Sequence, residues 1–311
     1  MKKVLLAVGI ILAVLLVGIL LLLWYVSSRP AAPADYQETT QTGGSVEETY
    51  LASGPWEVSH FEQPVFQGFS KYLVYYPSET AEGDGAYPVI VLCNGSGTPL
   101  SKYTAVAEHF ASWGFLVIGT EEEYDWNGFA AEMCIRYLHL LQESETVNEK
   151  ENPLYQKIDL DRVGVIGHSQ GGVGVINAIT AQRHSSIFKA AVSLSPTNKE
   201  MAQALQWDYD VSQVSTPILL VSGAGGGDDW VVTGQQLEEI YGDIGGPKAM
   251  LRRKDTAHNQ VLYAANGYVT AWFRYWLQDD GAAGKAFLGD APEIMENNLY
   301  QDQRLCLDAE G

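Results

Sequence analysis

Arg162-Val-Gly-Val-Ile-Gly-His-Ser-Gln-Gly-Gly172 decides how this chain folds. Its first six residues form a short apolar run without helical spacing, the pattern of a strand covered on both faces. A tight turn follows, with Ser169 between Gly167 and Gly171, and a helical pattern then runs over 171–182. A serine forced into a strand-to-helix turn has its hydroxyl presented above the sheet, clear of its own backbone. A Cβ at either flanking glycine would collide with the turn or the neighbouring helix. The helix start also supplies free N–H groups where negative charge develops. G-x-S-x-G strings arise by chance, and the bland reading is a structural Gly-rich turn. The strand before it and the helix after it make Ser169 a candidate nucleophile.

The pattern repeats outward from this turn. Strands are predicted over 71–77 (KYLVYYP), 87–93 (YPVIVLC), 115–120 (FLVIGT), 189–194, 217–222 (PILLVS) and 249–253. Helices are predicted over 101–113, 129–143, 235–241 and 261–277. Such alternation predicts an α/β fold, a doubly wound and mostly parallel sheet in one catalytic domain over 49–311. The stretch after Asp279 is polar and weakly patterned, and has no assigned role.

A serine at its free pKa needs a base. His258, in Lys254-Asp-Thr-Ala-His-Asn259, follows the strand over 249–253 and fits that role; its bland reading is a loop histidine or helix cap. His60, His109, His139 and His184 precede the last strands and lack the chain order, and His168 belongs to the turn itself. The third member is a carboxylate in Gly223-Ala-Gly-Gly-Gly-Asp-Asp-Trp-Val-Val-Thr233, either Asp228 or Asp229. It would fix the imidazole tautomer and stabilise the imidazolium. An acid that only ends a Gly-rich turn is the alternative. An oxyanion needs two donors. The Gln170 N–H is one, and the Ser96 N–H, in the loop Asn94-Gly-Ser-Gly-Thr98, is expected to be the other.

From about residue 71 to residue 277 the chain resembles the α/β-hydrolase superfamily, and within it the compact cutinase-like, dienelactone-hydrolase-like and chlorophyllase-like branch. The features that carry the resemblance are the Asn94–Gly97 loop, His109-Phe-Ala-Ser-Trp-Gly-Phe-Leu-Val-Ile118, Gly-His-Ser-Gln-Gly-Gly, the acid after PILLVS and Ala257-His258 before a Trp-rich helix. The resemblance implies ester hydrolysis through an acyl-enzyme, with no metal and no organic cofactor. It also implies a spacing of acid, one residue, two small apolar residues and a cap. Counted forward from Gly223, that spacing favours Asp228; counted back from Thr233, it favours Asp229, which is the expected triad acid. Asn94-Gly-Ser-Gly97 departs from the usual His-Gly or Pro-Gly-aromatic loop. The segment over 195–215 is too short for a large lid, so an open site is expected, with Trp126, Trp207, Tyr209 and Trp230 as wall or as packing. The same triad serves acyltransferases and serine peptidases, and a binding module can keep the fold without catalysis.

The first 26 residues differ in kind. After Lys2 and Lys3, residues 4–26 carry no charge, long enough at about 1.5 Å per residue to span a hydrocarbon layer of roughly 30 Å. Trp24 and Tyr25 close the run at headgroup level. The expectation is a single-pass membrane anchor over 1–26 with the catalytic domain outside the cytoplasm; the alternative is a signal cleaved near Ala34. Residues 27–48, rich in Pro, Ala, Gln, Thr, Gly and Ser, read as a flexible linker. The formal net charge of -19, from 38 acidic and 19 basic side chains, excludes a nucleic-acid partner. Three cysteines, Cys93, Cys134 and Cys306, cannot complete a disulfide framework, and the first two read as small buried hydrophobes.

Overall fold

The computed structural model describes residues 12–21, 28–63, 66–78 and 85–307. Its principal element is a nine-stranded sheet: β1 (Val58–Gln63), β2 (Tyr72–Pro77), β3 (Tyr87–Cys93), β4 (Leu116–Thr120), β5 (Ile158–His168), β6 (Phe188–Leu194), β7 (Ile218–Ala224), β8 (Lys248–Lys254) and β9 (Tyr300–Cys306). The spatial order is β1-β2-β4-β3-β5-β6-β7-β8-β9. Strands β4, β3, β5, β6, β7 and β8 run parallel, while β1, β2 and β9 are antiparallel at the edges.

Alternate residues of one strand feed opposite cores, as the period of two requires. Ile90 and Leu92 of β3 pack with Val106 and Phe110 of α2 (Thr104–Ser112) and with Trp272 and Phe273 of α8 (Asn266–Gln278). Val89 and Val91 pack on the other face with Cys134 and Leu138 of α3 (Phe129–Glu143) and Val175 and Ile176 of α4 (Gln170–Thr180). The glycine inside RVGVIG has a local cause: a Cβ at Gly164 would stand 2.7 Å from the Phe273 ring. Large-to-small contacts of this kind let α8 lie close on the sheet.

Three expectations change. The helix predicted over 261–277 begins earlier and breaks at Ala265, giving α7 (His258–Ala264) and α8. The tail after Asp279 returns to the sheet as β9, whose pairing covers the edge of β8. The segment read as a flexible linker is seated on the domain. The Ala31 N–H donates to the Lys102 carbonyl at 2.8 Å, and Ala32 and Tyr36 are each 1% exposed. Glu47, in α1 (Ser45–Leu51), pairs with buried Arg253 of β8 at 2.8 Å and accepts from Asn297 at 2.7 Å. The composition of this stretch is polar, but Tyr36, Val46, Tyr50 and Leu51 are spaced to reach the core. No helix among the described residues is long and apolar enough to cross a membrane. Of the apolar run, residues 12–21 are helical and exposed, and the remainder of 4–26 lies outside the described residues.

Candidate active site

Ser169 closes the turn between β5 and α4 with φ 60° and ψ -120°, a backbone conformation that side chains rarely adopt. Two absent methyl groups make the turn possible. A Cβ at Gly167 would lie 2.2 Å from the Gly171 carbonyl oxygen, and one at Gly171 would lie 2.3 Å from that of Cys93. The Ser169 N–H is fixed by the Leu194 carbonyl of β6 at 2.8 Å.

His258 is the first residue of α7, at the same edge of the sheet, where β8 has just ended. Its Nδ1 meets Asp228 Oδ1 at 2.6 Å. Asp228 is fully buried, and its Oδ2 accepts the Ser195 hydroxyl at 2.9 Å and the Gly223 N–H. Gly225, Gly226 and Gly227 all have positive φ, which turns the chain after β7 so that Asp228 folds back onto the strand end. The expectation of Asp229 as the acid is therefore corrected: its side chain points away, pairs with Arg252 and is 53% exposed. The cause is a single turn of 3₁₀ helix, Asp228–Trp230, which shifts the spacing by one residue. Between the two aspartates, the geometry selects Asp228 as the partner of His258.

The two expected oxyanion donors are available. Gln170 opens α4, so its N–H has no acceptor within the helix. In the loop after β3, Gly95 N–H donates to the Tyr103 hydroxyl, Gly97 N–H to the Glu123 carbonyl and Thr98 N–H to the Gly95 carbonyl. Ser96 is exposed, and its N–H has no acceptor among the described residues. The loop also lies against the elbow, since a Cβ at Gly95 would be 3.9 Å from Ser169 Cβ.

His168 shields the base. Its ring centroid is 4.4 Å from that of His258, and its Nε2 is 2.9 Å from the His258 carbonyl. Burial, with the His258 ring beside it, lowers its pKa to about 3, so it is neutral at ordinary pH. Of the four expected wall aromatics, Trp230 is 79% exposed beside the acid turn, whereas half-buried Tyr209 packs on the core and donates to the Thr197 carbonyl at 3.0 Å. Two other histidines are tied to structural partners: His109 sits between Gln37 and Thr270 with its pKa lowered to about 3 by burial, and His184 Nδ1 meets Glu132 at 2.8 Å. Among the described residues no group of three or more His, Cys, Asp or Glu is arranged around a metal position.

Two participants escaped the sequence reading. Ser195 follows β6 with φ 41° and holds the acid, but nothing in its local sequence marks it. Asp125, after β4, is buried against α4: its N–H donates to Gln170 Oε1 at 3.1 Å, and its Oδ1 accepts from Ala130 N–H at 2.9 Å. Gly174 permits this approach, since a Cβ there would be 2.0 Å from the Asp125 carbonyl oxygen.

The chain is similar to a bis(hydroxyethyl) terephthalate hydrolase of Streptomyces coelicolor, 27% identical over 224 residues that cover 68% of this chain and 64% of the relative. It is 25% identical to Cutinase est1 of Thermobifida alba over 80% of this chain and 81% of that protein. It is also 25% identical to Lipase 1 of a Moraxella strain over 81% of this chain and 75% of that one. The PETase family model, described as PET hydrolase-like, matches residues 34–306. That match takes in the seated N-terminal segment from residue 34 on and every strand of the sheet through β9, and by it this chain belongs to the PET hydrolase-like family, in the cutinase-like branch of the α/β-hydrolases.

Proposed function

We propose that this chain is a carboxylic-ester hydrolase that works through an acyl-enzyme on Ser169. The observation that carries the reading is the 2.6 Å contact of His258 Nδ1 with fully buried Asp228, at the sheet edge where Ser169 is held in a strained turn. With Nδ1–H given to the carboxylate, Nε2 is left with its lone pair as the base. Ser169 Oγ attacks the ester carbonyl carbon as its proton passes to His258 Nε2. The carbonyl oxygen becomes an oxyanion held by the Gln170 and Ser96 N–H groups. Collapse expels the alcohol, which takes the proton from His258. Water then attacks the acyl-serine by the same route, releasing the acid and restoring Ser169. The names of the cutinase, lipase and terephthalate-ester hydrolase relatives support esters over amides as substrates.

The test is a fluorophosphonate probe together with bis(hydroxyethyl) terephthalate and short acyl esters. Wild type should be labelled and turn over ester, and Ser169→Ala should do neither. Labelling that persists in the variant would remove Ser169. Amide cleavage or transfer to an added alcohol at rates above hydrolysis would replace the ester-hydrolase reading with its peptidase or acyltransferase rival.

We further infer that residues 4–26 anchor the enzyme, with the catalytic domain outside the cytoplasm. The support is the 23-residue uncharged run behind Lys2 and Lys3. The burial of Ala32 and the Ala31–Lys102 bond favour a retained segment, since cleavage near Ala34 would remove a seated piece. Protease added to intact cells or spheroplasts should reach the domain, and protection until lysis would reverse the topology.

A further inference from the structure

Residues 120–125, where β4 ends, are bonded to both of the loops that carry the expected oxyanion donors. The fully buried Asn94 side chain reaches across from the Ser96 loop. Its Nδ2 donates to the Thr120 carbonyl at 2.8 Å and to the Glu122 carbonyl at 2.7 Å. On the other side of Ser96, the Gly97 N–H donates to the Glu123 carbonyl at 2.8 Å. Two residues further on, the Asp125 N–H donates to Oε1 of the fully buried Gln170 side chain at 3.1 Å. Backbone packing closes the remaining side, since a Cβ at Gly171 would stand 2.9 Å from the Asn94 carbonyl oxygen. The Ser96 loop, the first turn of α4 and residues 120–125 therefore hold one another on three sides.

A turn near the surface can leave its carbonyls to water. This one gives three of them to the Ser96 loop. Two of the three bonds come from Asn94, whose amide hydrogens are thereby used, while its Oδ1 has no hydrogen-bond partner among the described residues. Burying an amide whose acceptor is idle costs stability, so packing alone does not account for Asn94. Position does. An oxyanion hole needs both donors about 2.7–3.1 Å from one developing charge, and a misplacement of about 1 Å can cost about a hundredfold in rate.

We propose that residues 120–125 are a brace that sets the spacing of the Gln170 and Ser96 N–H groups, with Asn94 and the Gln170 side chain as its positioning residues. Both side chains are buried away from substrate, so each acts through the backbone donor near it. The proposal rests on the ester-hydrolase reading and deepens it, by naming what holds the oxyanion hole to shape.

The test uses the full chain in detergent, with bis(hydroxyethyl) terephthalate as substrate. Phenylboronic acid serves as the second probe, because its tetrahedral adduct with Ser169 places an oxygen in the hole. Fluorophosphonate labelling carried to completion counts the live sites, so kcat is read per labelled serine. Removing a donor outright costs about 10²–10³ in kcat, so letting one drift should cost about tenfold. Asn94→Ala should lower kcat per labelled site by that factor with KM within about twofold, and should weaken phenylboronic acid in parallel. Gln170→Met keeps the N–H and removes the acceptor, and should show the same pattern at about threefold or more. The double variant should lose less than the product of the two, since both release the same brace. A merely structural side chain would lower the melting temperature or the labelled fraction, and leave kcat per labelled site and boronate affinity as in wild type. That result in either variant would overturn the brace while leaving ester hydrolysis standing. If Asn94→Ala does not fold, Gln170→Met decides by the same readouts. Wild type that neither labels nor cleaves ester would bring down the ester-hydrolase reading and the brace together.

Discussion

The turns after β4 and β7 each bury an aspartate beside the same elbow, and the two carboxyl groups live in opposite conditions. Asp228 is met by three donors, His258 Nδ1–H, the Ser195 hydroxyl and the Gly223 N–H. Asp125 has the Ala130 N–H on Oδ1 and the Cys93 thiol nearby; among the described residues it has no ion pair and its Oδ2 has no hydrogen-bond partner. Burial raises its pKa to about 7 against the pull of those two donors. Depth in the protein therefore does not decide what a carboxyl group does. The donors aimed at it decide. The first turn aims three donors at a carboxyl group beside an imidazole; the second leaves its carboxyl short of donors, while the Asp125 backbone N–H braces the Gln170 side chain.

The sharpest way to break this contrast is Asp228→Asn. With the acid gone the imidazole can take the wrong tautomer, and turnover should fall by about four orders of magnitude with the fold intact. A rate near wild type would remove Asp228 from the site. Asp125→Asn should act on stability and its pH dependence. The folded pKa of Asp125 lies above its unfolded value of 3.8, so the group favours folding at low pH and loses that contribution as pH rises from about 4 through 7. The shift corresponds to about 4 kcal/mol between those limits. Denaturant unfolding at pH 4.5 and pH 8 should show a smaller loss in the variant than in wild type, and equal losses would mean that the carboxyl titrates normally. Ser195→Ala removes one of the three donors to Asp228, a hydrogen bond to a charged acceptor worth about 1.5–3 kcal/mol, so kcat should drop at least about tenfold. An unchanged kcat would show that two donors suffice. Asp229→Asn should change least. Its pair with Arg252 is half exposed, so turnover should stay within about twofold and stability within about 1 kcal/mol. A severe loss there would restore the carboxylate favoured by counting back from Thr233.

The elbow was legible because its signal is local. RVGVIG, the two glycines and the following helix lie within about twenty residues, and each is demanded by sterics that the sequence itself displays. The acid was legible only to within one residue, because the glycine run at 225–227 and the short 3₁₀ turn set its direction by backbone angles that no side chain announces. Ser195 and Asp125 were invisible for a different reason. Their roles come from neighbours 33 and 45 residues away in the chain, Asp228 and Gln170. The N-terminal segment misled through composition. A few well-spaced aromatic and aliphatic residues among polar ones are enough to seat a chain when the domain supplies ready sockets, and tertiary packing then overrides the look of a linker.

The seating of that segment also sets a schedule. Glu47 is synthesised early, but the Asn297 amide it accepts from lies 250 residues downstream. At about 5–20 residues per second, the first packed piece of the domain waits roughly 10–50 s for its last partner to leave the ribosome. Through most of that interval the Tyr36 and Tyr50 hydroxyls also lack their partners, Asn266 and Asp280, so the segment's polar ties are among the last to form. The end of the chain that is made first is completed last.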